Sequence, residues 1–166
     1  MRGIFLWAMV LATSFLTANG QSDSIQRQIN QQVWRPFIQS FNARDNEGFR
    51  AVHSKEVSRV LQDEKRILNA EEYFKPVPDS IKARWAAYKS NLELRFTQRI
   101  ATGDRAFEVG YYKSSSTNTN TGQTRTSYGK FHVLLRKENE VWKILMDADA
   151  RENADEKTFM SAAAME

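Results

Sequence analysis

The sequence predicts an α+β domain in which amphipathic helices at the front of the chain pack into a strongly curved antiparallel sheet built by its second half. Three observations carry this. Apolar residues recur at helical spacing from Ile25 to Phe41, period-two alternation dominates from Asn91 onward, and short turn signals separate the later strands. With 166 residues, 41% hydrophobic and 27% charged, and only seven glycines and three prolines, the composition is that of one packed domain with one core.

The first twenty residues stand apart. MRGIFLWAMVLATSFLTANG opens on Arg2, continues as an apolar run from Gly3 to Leu16 and meets the small residues Ala18 and Gly20, which is the pattern of an export signal. The run is short for a bilayer span and polar residues follow at once, so no stable membrane anchor is expected after cleavage. The expected division is a signal peptide over 1–20, a domain over 21–150 and a polar tail over 151–166, with Gln21 first in the mature chain. Cysteine is absent, which excludes disulfides, thiolate metal sites and a cysteine nucleophile. Export without cysteine points to a periplasmic or secreted bacterial protein.

In the mature chain, Ile25, Ile29, Val33, Phe37 and Phe41, joined by Trp34 and Ile38, form one broad helical stripe. Pro36 lies inside it and has no amide to donate, so a bend or a restart is expected near Trp34–Pro36. Asp45 is placed to cap a short helix in NEGFRAVH. VSRVL and KRIL have the character of extended pieces, and Asn69 with Glu72 forms a capping pair for AEEYF before Pro76 and Pro78 break the chain. DSIKARWAAYKS carries Ile81, Trp85 and Tyr88 at helical spacing, as a helix or a helical loop.

Four strands follow. NLELRFTQRIA alternates Leu92, Leu94 and Phe96 with charged neighbours; Thr102–Asp104 turns into RAFEVGYYK; SYGKFHVLLRK passes through the tight turn ENE into VWKILMDADA. Alternation puts Phe107, Val109 and Tyr111 on one side and Glu108 and Tyr112 on the other. The hydroxyl-rich KSSSTNTNTGQTR is expected as a mobile loop, and RENADEKTFMSAAAME as a loose tail or a terminal helical turn with Phe159 its one large anchor.

The segments WRPFIQSFNARDNEGFRAVHS, VSRV, ILNAEEYF and GKFHVLLRKENEVWKI together resemble the nuclear-transport-factor-2-like superfamily, in its polyketide-cyclase-like (SnoaL-like) and ketosteroid-isomerase-like bacterial branch. The resemblance covers roughly Ile25 to Ala150. It implies a cone whose helices and bent sheet enclose a pocket for a small, mostly apolar ligand, with the outer sheet face forming a homodimer. The pocket lining expected on this basis is Trp34, Phe37, Phe41, Leu61, Tyr73, Phe74, Trp85, Phe96, Phe131 and Trp142, although buried aromatics are also the ordinary filling of such a core.

Isomerase chemistry in that branch needs a carboxylate base, a tyrosine and a second carboxylic acid in an apolar site. The resemblance places Phe37 at the tyrosine position, Leu61 at the base and Phe131 near the second acid, none of which moves a proton. Asp63, two residues beyond the base position, and Tyr73 are the remaining acid/base candidates.

The stretch MDADARENAD raises a metal question. A calcium loop starting at Asp147 would find Arg151, Glu152 and Thr158 at its fifth, sixth and twelfth places, so three requirements fail. If Trp142, Ile144 and Met146 face the core, strict alternation turns Asp147 and Asp149 to solvent. His132 is expected on the outer face with Tyr112, and His53 at the end of the second helix. Arg59 and Arg66 could hold a carboxylate ligand at a pocket mouth, or be solvated. Two histidines are too few for a histidine-rich metal site, and no phosphate-cradling glycine loop, nucleophile elbow or zinc helix occurs, so no metal or cofactor is expected. The net charge of +4 is spread singly among acids, which disfavours nucleic acid. The expectation is an exported domain that binds a small apolar or amphipathic molecule without catalysis. The alternatives are a SnoaL-like or ketosteroid-isomerase-like lyase/isomerase with a displaced acid, and a protein-interaction or dimerisation module.

Overall fold

The computed structural model describes residues 23–165; the segment expected to be an export signal, with its expected cleavage point, lies outside the described residues. Helix α1 (23–43) carries the apolar stripe: Ile29, Val33 and Trp34 are buried, and Phe37, Ile38 and Phe41 pack on the same core. It passes Pro36 without breaking. Asn30–Trp34 widens into a π-turn, with the Arg35 amide donating to Asn30 O, and Pro36 then sits in the first turn of Arg35–Ala43, where it has no α-helical partner to lose. Helix α2 (Asn46–Ala51) is capped by Asp45, which accepts from the amides of Glu47 at 3.1 Å and Gly48 at 3.0 Å. Helix α3 (Ala70–Tyr73) starts with the Asn69–Glu72 reciprocal cap, and α4 (Asp79–Trp85) follows the proline break.

Among the described residues, seven strands form a single sheet: β1 (His53–Leu61), β2 (Arg66–Leu68), β3 (Tyr88–Thr102), β4 (Arg105–Asn118), β5 (Thr124–Glu138), β6 (Val141–Ala150) and β7 (Ala163–Ala164). Their order is β2-β1-β6-β5-β4-β3-β7. Neighbours are antiparallel except β1 with β6, which run parallel because the chain crosses from the helical half onto the far side of the hairpin run. The bulges in β3 near Thr97 and in β6 at Leu145 are sites where strands bend. The helices lie on the inner face, over Val57, Leu92, Leu94, Phe96, Phe131, Val133, Leu135, Trp142 and Ile144. Gly110 belongs to this curvature, since a Cβ there would lie 2.0 Å from Arg95 O and 2.6 Å from the Phe131 ring.

Two expectations are corrected, and of the alternatives for the end of the chain the helical turn anchored by Phe159 is the one found. Most of 113–125 is strand, not loop: Ser114–Thr117 pair with Thr124–Ser127, and cross-strand hydroxyls meet at 3.1 Å (Ser115–Thr126) and 2.8 Å (Thr117–Thr124). β-branched threonine suits a pleated surface whatever its polarity. The end of the chain is docked. Helix α5 (Glu156–Ser161), capped by Asp155, buries Phe159 against Tyr128 and beneath the Arg95 guanidinium, and β7 pairs with the β3 edge at Arg95 and Phe96. The tail therefore covers an edge that would otherwise offer unpaired backbone groups. Finally, His132 does not share a face with Tyr112. It stands opposite Val109 and stacks on Phe107 on the outer face, while Tyr112 points inward with Leu94.

Candidate functional site

The site begins with one irregular residue. In β6, Ile144 pairs with Leu135 and Met146 with Leu134, so Leu145 is an extra residue in the ladder. A bulge shifts the side-chain phase by one. Trp142 and Ile144 point inward before it; after it Asp147 and Asp149 point inward, opposite Val133 and Phe131. The expectation that both aspartates face solvent is thus overturned, because strict alternation does not survive the bulge.

The parallel pairing with β1 sets Arg59 level with Asp147. Its guanidinium bridges both acids, at 3.1 Å to Asp147 Oδ1 and 2.5 Å to Asp149 Oδ1. The Tyr73 hydroxyl, from α3, donates to Asp147 Oδ2 at 2.8 Å, and the Tyr112 hydroxyl, from β4, donates to Asp149 Oδ2 at 3.2 Å. Tyr112 takes this position because Gly129 faces it across the ladder; a Cβ there would lie 2.2 Å from the ring. Burial, then Asp147, raises the Tyr73 phenol well above its usual range, so it stays a protonated donor. Burial pulls the Arg59 guanidinium down, but Asp147, Tyr73 and Asp149 outweigh it and hold the cation firmly charged.

This polar cluster forms one wall of an inner chamber of about 240 Å³. The opposite wall is aromatic and aliphatic: Trp34, Phe37, Phe41, Phe49, Leu92, Leu94 and Phe131, with Ser114, Ser127 and Arg151 toward one side. A wider vestibule of about 1180 Å³ adjoins it, sharing Phe41, Phe49 and Tyr73 as lining. The expected pocket residues divide accordingly. Trp34, Phe37, Phe41, Tyr73 and Phe131 line the chamber; Phe41, Tyr73, Phe74 and Trp85 line the vestibule. Phe96 and Trp142 are core residues that line neither, because the helix covers them, and Leu61, at the end of β1, also lines neither.

Of the two acid/base candidates only Tyr73 is at the site. Asp63 is exposed in the turn after β1 and accepts the Arg151 amide at 2.8 Å; Arg151 lines one side of the chamber, but Asp63 itself lines neither cavity. Arg66 is likewise on the surface, paired with Glu64. His53 is buried at the end of α2, its Nδ1–H donating to Phe49 O at 2.7 Å, within rings of Phe37, Phe49, Tyr73 and Phe74. Burial lowers its pKa against the opposing pull of Asp147, so the helix-end contact is made by a neutral ring. Among the described residues no cluster of three or more histidines or acids is arranged to hold a metal ion.

A second buried polar group stands beside the chamber. Glu108 is fully buried, accepts the Trp34 indole N–H at 2.5 Å and pairs with Arg99 at 2.9 Å, which in turn donates to Asn30 at 2.7 Å. Burial raises the Glu108 carboxyl, and Arg99 and the indole pull it back. The π-turn places Asn30 and Trp34 on this cluster, so the chamber's largest wall ring is fixed by a hydrogen bond as well as by packing.

Neither a family model nor a curated protein matches the sequence. Solved structures match its fold. Aln2 from a Streptomyces species superposes with a TM-score of 0.65 at 13% identity, covering 78% of this chain and 92% of that one. The hexachlorocyclohexane dehydrochlorinase LinA-type3 of Novosphingobium barchaimii gives 0.59 at 11% identity, covering 82% and 92%. An NTF-2-like protein of unknown function from Shewanella oneidensis gives 0.55 at 16%, covering 74% and 96%. With N-terminal helices held in a curved seven-stranded sheet, the chain has the nuclear-transport-factor-2-like α+β cone fold.

Proposed function

We propose that this protein is an exported binder of a small amphipathic molecule, held in the inner chamber with its apolar body against Trp34, Phe37 and Phe131, beside the wall formed by Tyr73, Asp147 and Arg59. The observation that carries this reading is the chamber: a half-open cavity with one aromatic wall and one wall of convergent, fully partnered polar groups, the usual make-up of a ligand site. Its size sets the class of ligand, since a cavity of about 150 Å³ already accommodates benzene. A substituted ring or a small fused pair of rings fits about 240 Å³. Export follows from the 1–20 segment, and the outer face around Phe107, His132 and Leu134 is the surface for a homodimer, α5 covering the part near Tyr128.

Binding is favoured over turnover because Asp147 is engaged at both oxygens, by Arg59 and by Tyr73, and because Phe37 and Phe131, which line the chamber, carry no transferable proton. The second reading is a lyase or isomerase in which Asp147 replaces the displaced acid. It is favoured by one observation, a largely buried carboxylate beside the chamber with a tyrosine hydroxyl on it, and by the existence of a dehydrochlorinase on this fold.

The test is native mass spectrometry after incubation with a panel of one- and two-ring alcohols, ketones and acids, using wild type and Val133→Trp, which fills the chamber. Retention by wild type and loss in the variant supports the binding reading; retention by neither removes it. Conversion of a retained compound by wild type but not by Asp147→Asn would move the assignment to the enzyme.

A further inference from the structure

The vestibule outside the chamber carries a charge pattern that the binding of a neutral molecule does not use. Four cations line it, Arg44, Arg50, Lys75 and Arg125, against the carboxylates of Asp45 and Glu47. None of the four has an ion pair among the described residues. Asp45 already uses its Oδ1 to cap α2.

Two of the cations are fixed in place. Arg44 lies 5.7 Å from the Trp85 ring centroid and donates to Trp85 O and to Ser90 Oγ at 3.2 Å; Arg50 lies 5.0 Å from the Phe74 centroid and donates to Phe74 O at 3.0 Å. A guanidinium has five N–H donors, so both retain donors beyond these contacts. Lys75 and Arg125 are both exposed, one beside the proline break and one on the hydroxyl-rich end of β5. A concave, partly apolar surface with an excess of one sign focuses potential and attracts the opposite charge.

The two spaces meet at Phe41, Phe49 and Tyr73. We infer that the ligand is an amphipathic anion, its ring system in the inner chamber and its carboxylate, sulfonate or phosphate group in the vestibule among Arg44, Arg50, Lys75 and Arg125. This deepens the binding reading above and rests on it. In the chamber Arg59 is already neutralised by two aspartates and Arg151 at one side is the remaining cation, whereas the vestibule gathers four, which makes it the stronger place for the charge.

The test is calorimetric titration with a matched pair of probes, 2-naphthylacetate and the neutral 2-naphthylacetamide, at low and high salt. Wild type and Lys75→Gln/Arg125→Gln are compared; both substituted residues are exposed, so the variant keeps the fold. At low salt the anion is expected to bind roughly five- to tenfold tighter than the amide, with the preference falling toward unity at high salt and in the double variant. Amide binding should be the same in both proteins. Equal affinity of the two probes in wild type, insensitive to salt, would overturn the anion assignment while leaving the chamber reading in place. Failure of both probes to bind would overturn the two together. An anion preference that persists unchanged in the double variant at high salt would also overturn it, since the selectivity would then lie elsewhere.

Discussion

Replacing Arg59 with methionine removes the one cation that lets Asp147 and Asp149 share a wall. The three side chains are 12%, 11% and 24% exposed, so the acids cannot simply be solvated in its absence. Two contacts near 3 Å are each worth about 5 kcal/mol of attraction at an effective dielectric of about 20, most of it offset by desolvation. Removing one partner of a buried ion pair costs roughly 3–5 kcal/mol, and the partial exposure of Asp149 places this case near 3. Two carboxylates left side by side without the bridging cation repel one another, a penalty present at neutral pH and relieved in acid, where the pair no longer carries two charges. R59M should therefore show its largest stability deficit at neutral pH and recover toward wild type as the medium is taken from about pH 7 to about pH 4. Urea midpoints measured across that range check this, and a midpoint deficit that is absent or independent of pH would refute the reasoning.

Other consequences follow from separate parts of the fold. His53 is buried neutral, with Nδ1–H on Phe49 O and Nε2 without a partner, and its folded pKa is depressed; the stability it contributes is present above the unfolded value near 6.5 and lost as pH falls through the folded one. His53→Phe should flatten that acid-side decline, as read by denaturation midpoints from neutral to mildly acidic pH. Glu108→Leu leaves the Trp34 indole and Arg99 without their acceptor and should cost about 3 kcal/mol, with Glu108→Gln, which keeps an acceptor for the indole, losing about half as much in the same assay. Phe159→Ala empties the contact with Tyr128 and Arg95 and should cost about 3 kcal/mol, accompanied by faster amide exchange along the β3 edge at Arg95 and Phe96.

Much of the fold is legible in the sequence because its signals are local. The Asp45 cap, the Asn69–Glu72 reciprocal cap, the turn at Gly103 and the tight turn through Asn139 and Glu140, both at positive φ, each need only a few adjacent residues. The stripe from Ile29 to Phe41 marks the helix face, and resemblance with apolar character places Trp34, Phe37, Phe41 and Phe131 at the cavity. The polar wall is not legible, because it depends on Leu145. An extra residue in a ladder has no sequence signature when its neighbours are all apolar, yet it reverses the facing of everything after it. The same shift of phase hides Asp147 and Asp149, and with them the partner that turns Arg59 inward. Alternation puts Glu108 correctly on the face of Tyr112, but alone it does not say which face is dry. The serine- and threonine-rich hairpin reads as mobile only when polarity is weighed above β-branching, and the paired β7 rests on a long-range contact with β3.

The most direct test of the central claim is a crystal structure of the protein soaked with 2-naphthylacetate. The account predicts electron density for the rings between Trp34, Phe37 and Phe131, beside the Tyr73–Asp147–Arg59 wall, with the carboxylate directed toward the vestibule. Density for the probe on the outer sheet face, or a chamber filled by side chains with no probe in it, would contradict the account.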